Sequence, residues 1–165
     1  MTVLDIELLR EVEQFIFREA RFQDELRYDD WEALWTDDGV YWVPANADDS
    51  DPTKQVSIIF DNRARIATRI KQLHTGKRHS QTPPSKLRRL ISNVELLDGA
   101  GDDDGGAIRV GANFLVYESR ERGVTLWAGR SEYTLRRTDD GLRMAYKKVF
   151  LVDNDRPLYT LAFLI

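Results

Sequence analysis

His74 and His79 are the only histidines in a chain of 165 residues that contains no cysteine. Two histidines and one carboxylate can bind iron. Here the pair lies five positions apart, straddles Gly76, and has no Asp or Glu near it, since none occurs from Asn62 to Val94. A ligand set would need a carboxylate folded in from a distance. The plainer reading is one histidine at a helix end and one in a loop. Proton transfer is the second chemistry open to the chain. Asp61, His74 and His79, with Tyr41 and Tyr117, are the residue types that general acid–base work uses. Each also has a plain role: Asp61 as a helix cap, the tyrosines as packing on a sheet. The lack of cysteine excludes disulfides, thiolate nucleophiles and any cysteine-ligated zinc or iron–sulfur centre. No GxSxG, Walker or GxGxxG pattern occurs in a strand–helix context. Gly105-Gly106 sits in an acidic turn that would repel phosphate.

The charge is distributed unevenly. Net charge is −4, yet nine of the 24 Lys and Arg residues fall between Asn62 and Val94. Such a stretch could bind an anion or nucleic acid. No Phe, Tyr or Trp occurs from Asp61 to Asn113, so bases would find nothing to stack on there. A sequence pI near 5.3 also argues against nucleic acid as the main partner. Two readings remain: a solvated face balanced by the acidic runs, or a protein-facing surface, where arginine's planar fork is favoured.

The elements that would position these residues follow from periodicity. Residues 5 to 26 repeat apolar side chains at helical spacing, with Leu9, Val12, Ile16 and Ala20 in line. Asp29 with Glu32 has the form of a capping box for a second short helix, which Thr36-Asp37-Asp38-Gly39 ends with turn chemistry. Val40 to Val43 reads as a strand stopped by Pro44, and Ala45 to Lys54 as a polar loop. Val56 to Phe60 is a short strand, and the helix after Asp61 ends at Gly76. Pro83-Pro84 holds a loop extended. Four long β segments follow, with turns at residues 98–106 and 119–123 and a hairpin signal at Asp139-Asp140-Gly141. Ile108, Val110, Ala112, Phe114 and Val116 share one face. Leu158 to Ile165 reads as an edge strand or as a segment that a partner covers. Helices followed by a long meander predict one α+β domain over residues 1–165, a curved antiparallel sheet wrapped over the N-terminal helices. The start, MTVLDIELLREVEQ, is too acidic for a signal peptide, and no apolar run approaches a membrane span. The expectation is a cytoplasmic protein.

Four segments, in this order, resemble the small (β) subunit of bacterial aromatic-ring-hydroxylating dioxygenases, the Rieske non-haem iron oxygenases. They are FIFREARFQDELRYDDWEALWTDDGVYWVPA at residues 15–45, Asp61-Asn62-Arg63-Ala64-Arg65, TGKRHSQTPPSKLRRLISNV at 75–94, and KKVFLVDNDRPLYTLAFLI at the C-terminal end. The acid-rich loop 45–54 and the turn 98–106 do not match. The resemblance implies a cystatin-like or NTF2-like cone. It implies a structural, non-catalytic subunit of a terminal oxygenase that adds dioxygen to an aromatic ring in catabolism. Its partner would be a large (α) subunit, in an α3β3 assembly in which the small chain also self-associates as a trimer. The Rieske 2Fe-2S cluster and the mononuclear non-haem iron would belong to that large subunit, with electrons from NAD(P)H through a reductase. No nucleic acid and no membrane enters this picture. No catalytic, cofactor-binding or metal residue carries over. The interface candidates are Arg65, Arg69, His79, Pro83, Pro84, Arg88 and Trp42. The alternative is a free-standing isomerase or dehydratase on the same cone, with an Asp/His/Tyr acid–base pair inside it.

Overall fold

A computed structural model of the chain describes residues 3–46, 51–77, 83–97 and 106–165. Helix α1 (Ile6–Asp24) starts where the Asp5 side chain accepts a hydrogen bond from the Leu8 amide at 2.9 Å. Its stripe of Val12, Phe15, Ile16 and Ala20 is buried. At its C-terminal end the Arg27 amide donates to the Phe22 carbonyl at 2.9 Å, and Leu26 takes the left-handed conformation (φ 56°) usual for glycine. Leu26 is packed against the core.

Helix α2 (Tyr28–Glu32) lacks the expected capping box. Arg27 stands at its N-cap without a side-chain bond. Asp29 and Glu32 instead reach across to His74 and Arg63 of α3 (Arg63–Thr75), at 2.7 and 2.8 Å. Charge-assisted bonds to a neighbouring helix outweigh a bond to one's own amides. Asp61 does not cap α3 either. Asn62 does, accepting from the Arg65 amide at 3.0 Å, and Asp61 ends the preceding strand. Gly76 terminates α3 in the left-handed region (φ 61°), as its position suggests.

Six strands form one open sheet in the order β2-β1-β6-β5-β4-β3. They are β1 (Trp35–Pro44), β2 (Ser57–Asp61), β3 (Lys86–Leu96), β4 (Ile108–Arg120), β5 (Gly123–Thr138) and β6 (Gly141–Leu151). The antiparallel meander β3 to β6 is the one its alternation predicts. The sheet as a whole is mixed, because β1 runs parallel to β6. The turn residues Thr36 to Gly39 lie within β1. Between the pairs Trp35–Met144 and Val40–Tyr146, β1 advances five residues while β6 advances two, so the Thr-Asp-Asp-Gly segment forms a wide bulge. Further register shifts fall at Ser92/Glu95 and Thr134/Leu135, where a sheet gains bend. Gly129 of β5 lets the Phe114 ring cross directly over the backbone, a place where a Cβ would collide with that ring and with the Phe150 carbonyl.

The concave face of the sheet holds the core against α1, α2 and α3. Trp31, Trp35 and Tyr41 form its aromatic centre, with ring centroids 5.5 to 5.9 Å apart. Beyond β6 the chain has no regular structure. Residues 162–165 nevertheless turn inward and are buried. The tail is thus not an edge strand, and its last four residues are covered by the chain itself, while Tyr159 and Thr160 stay exposed. The sheet edges are β2 and β3, and the main-chain oxygens of Leu164 and Ile165 are bonded by Arg89 and Tyr41 in the interior.

Candidate functional site

The interior of the cone carries an unusual number of charges. Glu19, on the apolar stripe of α1, meets Lys147 of β6 at 2.5 Å, and the two are 1% and 2% exposed. The Trp31 indole donates to the same Glu19 oxygen at 3.4 Å. The Lys147 ammonium also lies 5.4 Å from the Tyr133 ring centroid. Burial pulls the Lys147 pKa down, and the Glu19 carboxylate opposes that pull.

Alongside, Arg89 of β3 is bound on all sides. Its Nε donates to Asp24 Oδ1 at 2.7 Å, Nη1 to Gln23 Oε1 at 2.8 Å and Nη2 to the Leu164 carbonyl at 3.0 Å, while its backbone amide donates to Asp24 Oδ2 at 2.9 Å. The Tyr41 hydroxyl donates to the Ile165 main-chain oxygen at 2.5 Å and accepts from the Ile165 amide at 3.0 Å. Burial holds the Tyr41 and Tyr133 hydroxyls well above the ordinary tyrosine pKa. Glu118, fully buried on β4, accepts from Ser85 at 2.5 Å and from the Trp127 indole at 3.1 Å. Among the described residues, two buried donors have no protein acceptor, Gln23 Nε2 and Trp35 Nε1. Each such donor costs about 1–3 kcal/mol.

The acid–base types are therefore present, but each is tied to a partner. A cavity of about 260 Å³ lies between β2, α3 and the tail, lined by Ile58, Ile59, Arg69, Leu73 and Phe163 among others. Among the described residues, Arg69 is its sole titratable lining group, and it is bonded to Asp61 at 2.6 Å. A second cavity, of about 310 Å³, lies on the other side of the tail against Trp127, Leu151 and Leu158. Neither contains an acid–base pair.

The residues singled out in the sequence are brought together only in part. His74 is exposed, with its Nε2 at 2.7 Å from Asp29 and its ring edge-on to Tyr28. His79 lies outside the described residues. Asp61 is buried and faces Arg69. Tyr41 points into the core, whereas Tyr117 stands exposed on the convex face of the sheet. Tyr41 and Asp61 stand directly opposite each other on β1 and β2, with Asp61 held by Arg69, whereas His74 lies against Asp29 and Tyr117 is exposed, so the four do not converge as one group. Among the described residues, no group of three or more His, Asp or Glu is placed to hold a metal ion, and no helix is long and apolar enough to cross a membrane.

The interface candidates divide in two. Arg65, Pro83, Pro84 and Arg88 are exposed. Trp42 is buried beneath Phe60 and Lys148 and donates to Ser57 at 2.9 Å, and Arg69 is turned toward Asp61. Much of the basic stretch is balanced within the chain, because Arg63, Arg69 and Arg89 each pair with an acid.

Two features escaped the sequence reading. One is the Glu19–Lys147 pair. Its signal was available: Lys147 shares strand parity with the buried Val149 and Leu151, and Glu19 shares the helical stripe of Val12 and Ile16. The other is the convex face of the sheet. There Leu90 stands opposite Leu115, and Tyr117 opposite both Arg88 and Leu126. Leu90 and Leu126 are 68% and 62% exposed, and Val124 adds to the same strip.

Comparison with known proteins agrees with this architecture. The sequence profile of the family described as "Ring hydroxylating beta subunit" matches residues 18–156. The chain is 32% identical over 148 residues to the small oxygenase component of the p-cumate 2,3-dioxygenase system of Pseudomonas putida, covering 86% of this chain and 77% of that one. It is 32% identical over 156 residues to the 2-halobenzoate 1,2-dioxygenase small subunit of Burkholderia cepacia, covering 92% of each. The fold superposes on the β subunit of benzoate 1,2-dioxygenase from Burkholderia mallei with a TM-score of 0.75 at 24% identity, over 99% of this chain and 100% of that one. It also superposes on a chain of naphthalene 1,2-dioxygenase with a TM-score of 0.84 at 14% identity, over 100% of this chain and 89% of that one. The paired interior, the apolar convex face and the profile match over most of the chain lead to one conclusion: this chain belongs to the ring-hydroxylating dioxygenase β-subunit family.

Proposed function

We propose that this chain is the small, non-catalytic subunit of a terminal oxygenase that adds dioxygen to an aromatic ring, and that it works by holding a larger oxygenase subunit in an assembly. The observation that carries this reading is the convex face. An exposed strip of Leu90, Leu115, Tyr117, Val124 and Leu126 on a rigid sheet is the kind of surface that partners cover. Arg88 borders it, and an aromatic flanked by arginine suits the centre of an interface. Arg65, Pro83 and Pro84 offer further exposed contact points. Trp42 and Arg69 already have partners within the chain and would act by supporting the sheet edge.

In this reading the large subunit holds the Rieske cluster and the mononuclear iron, and electrons reach it from NAD(P)H through a reductase. The assembly is α3β3, the small chains also meet one another, and the complex works in the cytoplasm. The free-standing isomerase or dehydratase is disfavoured, since Tyr41, Asp61 and His74 are each engaged with another group of the chain.

The test is co-expression with a large oxygenase subunit, taken from beside this gene if one is encoded there, followed by size exclusion with light scattering and iron analysis. A mixed assembly with all iron in the large subunit is the expected result. A chain that stays alone in the presence of a folded large subunit would overturn the proposal.

A further inference from the structure

The basic stretch seen in the sequence is only partly balanced within the chain. Arg63, Arg69 and Arg89 pair with acids. Lys86, the first residue of β3, does not. Among the described residues it has no carboxylate within ion-pair distance, and neither has Arg120, the last residue of β4. The two residues line one cleft of about 560 Å³.

The walls of the cleft are firmly held. Pro83 and Pro84 fix the backbone that leads into β3. Ser119 stands opposite Lys86 in the β3–β4 ladder, and Arg120 opposite Gly123 in the β4–β5 ladder. Arg122, in the turn between β4 and β5, lies 3.9 Å from Glu118 and 4.7 Å from the Tyr159 ring centroid. Thr160, next to Tyr159, adds a hydroxyl to the lining. Apart from the two prolines, every lining residue is charged or carries a hydroxyl. An apolar ligand would find no apolar wall to cover it.

The charges of the cleft do not cancel. Buried Glu118 is already bonded by Ser85 and Trp127, and Arg122 is the cation nearest to it. Lys86 and Arg120 then face one lining carboxylate, Glu121, and neither pairs with it. The stretch from Asn62 to Val94 brings no acid to the wall it forms. The cleft is cationic in a chain of net charge −4.

We infer that this cleft is a binding site for a small oxyanion, a phosphate or carboxylate group. Arg120 supplies a planar fork that matches either group, Lys86 a point charge, and Ser119 and Thr160 neutral donors. The site is independent of the function proposed above and stands or falls without it.

The probes are inorganic phosphate and malonate. Each is titrated into the full chain at constant ionic strength, with chloride as the control, and followed by two-dimensional amide NMR. The expected result is saturable movement of the Lys86, Ser119, Arg120 and Thr160 amides with at least one probe, and the tighter probe identifies the ligand class. Arg120→Gln should weaken that binding about tenfold or more, because it removes a charge-assisted hydrogen bond. Lys86→Gln should weaken it less. Movement that does not saturate, that chloride reproduces, or that is confined to other residues overturns the inference, as does unchanged affinity in Arg120→Gln. If that variant does not fold, unchanged affinity in Lys86→Gln overturns it instead.

Discussion

Each face of the sheet departs from the usual order of a soluble protein. The concave face, sealed from water, holds Glu19, Lys147, Arg89, Asp24, Asp61 and Glu118. The convex face, open to water, shows Leu90, Leu115, Tyr117, Val124 and Leu126. The difference teaches what each face is finished for. Inside, each of these charges has a partner, so the interior is complete in the single chain. Outside, the described residues leave the apolar strip uncovered, which is why we propose it as the face that an assembly covers. A buried ion pair adds little net stability over a hydrophobic replacement, but it penalises every arrangement in which it is broken. The interior pairs therefore fix where α1 and the C-terminal segment sit on the sheet.

The largest expected effect tests the interior. Glu19→Leu leaves the Lys147 ammonium buried and unpaired, and unfolding in urea should show a loss of about 3–5 kcal/mol. The double variant Glu19→Leu, Lys147→Met should recover most of it. A single variant no worse than the double would mean that the pair positions nothing.

The next effect tests the exterior. Leu126→Asp on the convex face should leave the isolated chain within about 0.5 kcal/mol of its original stability. In co-expression it should weaken assembly with the large subunit by about tenfold or more, read from the mass distribution in light scattering. An unaltered assembly would remove the convex face from the interface.

Alkaline pH separates the faces more gently. Burial raises the pKa of Tyr41 and Tyr133 well above 10 and pushes that of Tyr146 up to about 12, from the ordinary value of 10.0. Above pH 10 the unfolded chain loses these protons and the folded chain keeps them, so stability is present below pH 10 and falls through the window from 10 to 12. Burial raises the pKa of Tyr28 as well, so Lys147, with its lowered pKa, acts in the opposite direction as one group against four tyrosines. Urea midpoints should thus fall above pH 10, and Tyr146→Phe should make the decline shallower. The smallest effect provides a baseline outside both faces. Gly76→Ala, at φ 61° with nothing near its Cβ, should cost about 1 kcal/mol in urea unfolding and leave assembly unchanged.

Periodicity made the fold legible. The stripe of α1, the short second helix, α3 ending at Gly76 and the meander β3 to β6 all follow from apolar spacing and turn residues. Three things were hidden for definite reasons. The parallel pairing of β1 with β6 joins segments far apart in sequence, and no local pattern encodes such a pairing. Asp29, Glu32 and Asp61 look like caps because a cap is a local arrangement, while their true partners are cations brought in by tertiary packing. The tail looks like an exposed strand because its apolar run does not reveal that Arg89 and Tyr41 will bind its main-chain oxygens. Of the interface residues read from the sequence, Arg88 borders the apolar strip, since basic composition marks a surface but not which face it belongs to.

The parallel seam between β1 and β6 also dictates a timetable. β1 is made early, but its place in the sheet is between β2 and β6, and Val40 must wait for Tyr146. Until then the aromatic cluster of Trp31, Trp35 and Tyr41 has no floor beneath it. Contacts this far apart in sequence slow folding and leave apolar surface open meanwhile. A chain emerging from the ribosome holds its most adhesive residues uncovered for nearly the whole of its synthesis, so its yield should depend on chaperone supply and growth temperature more than on its final stability.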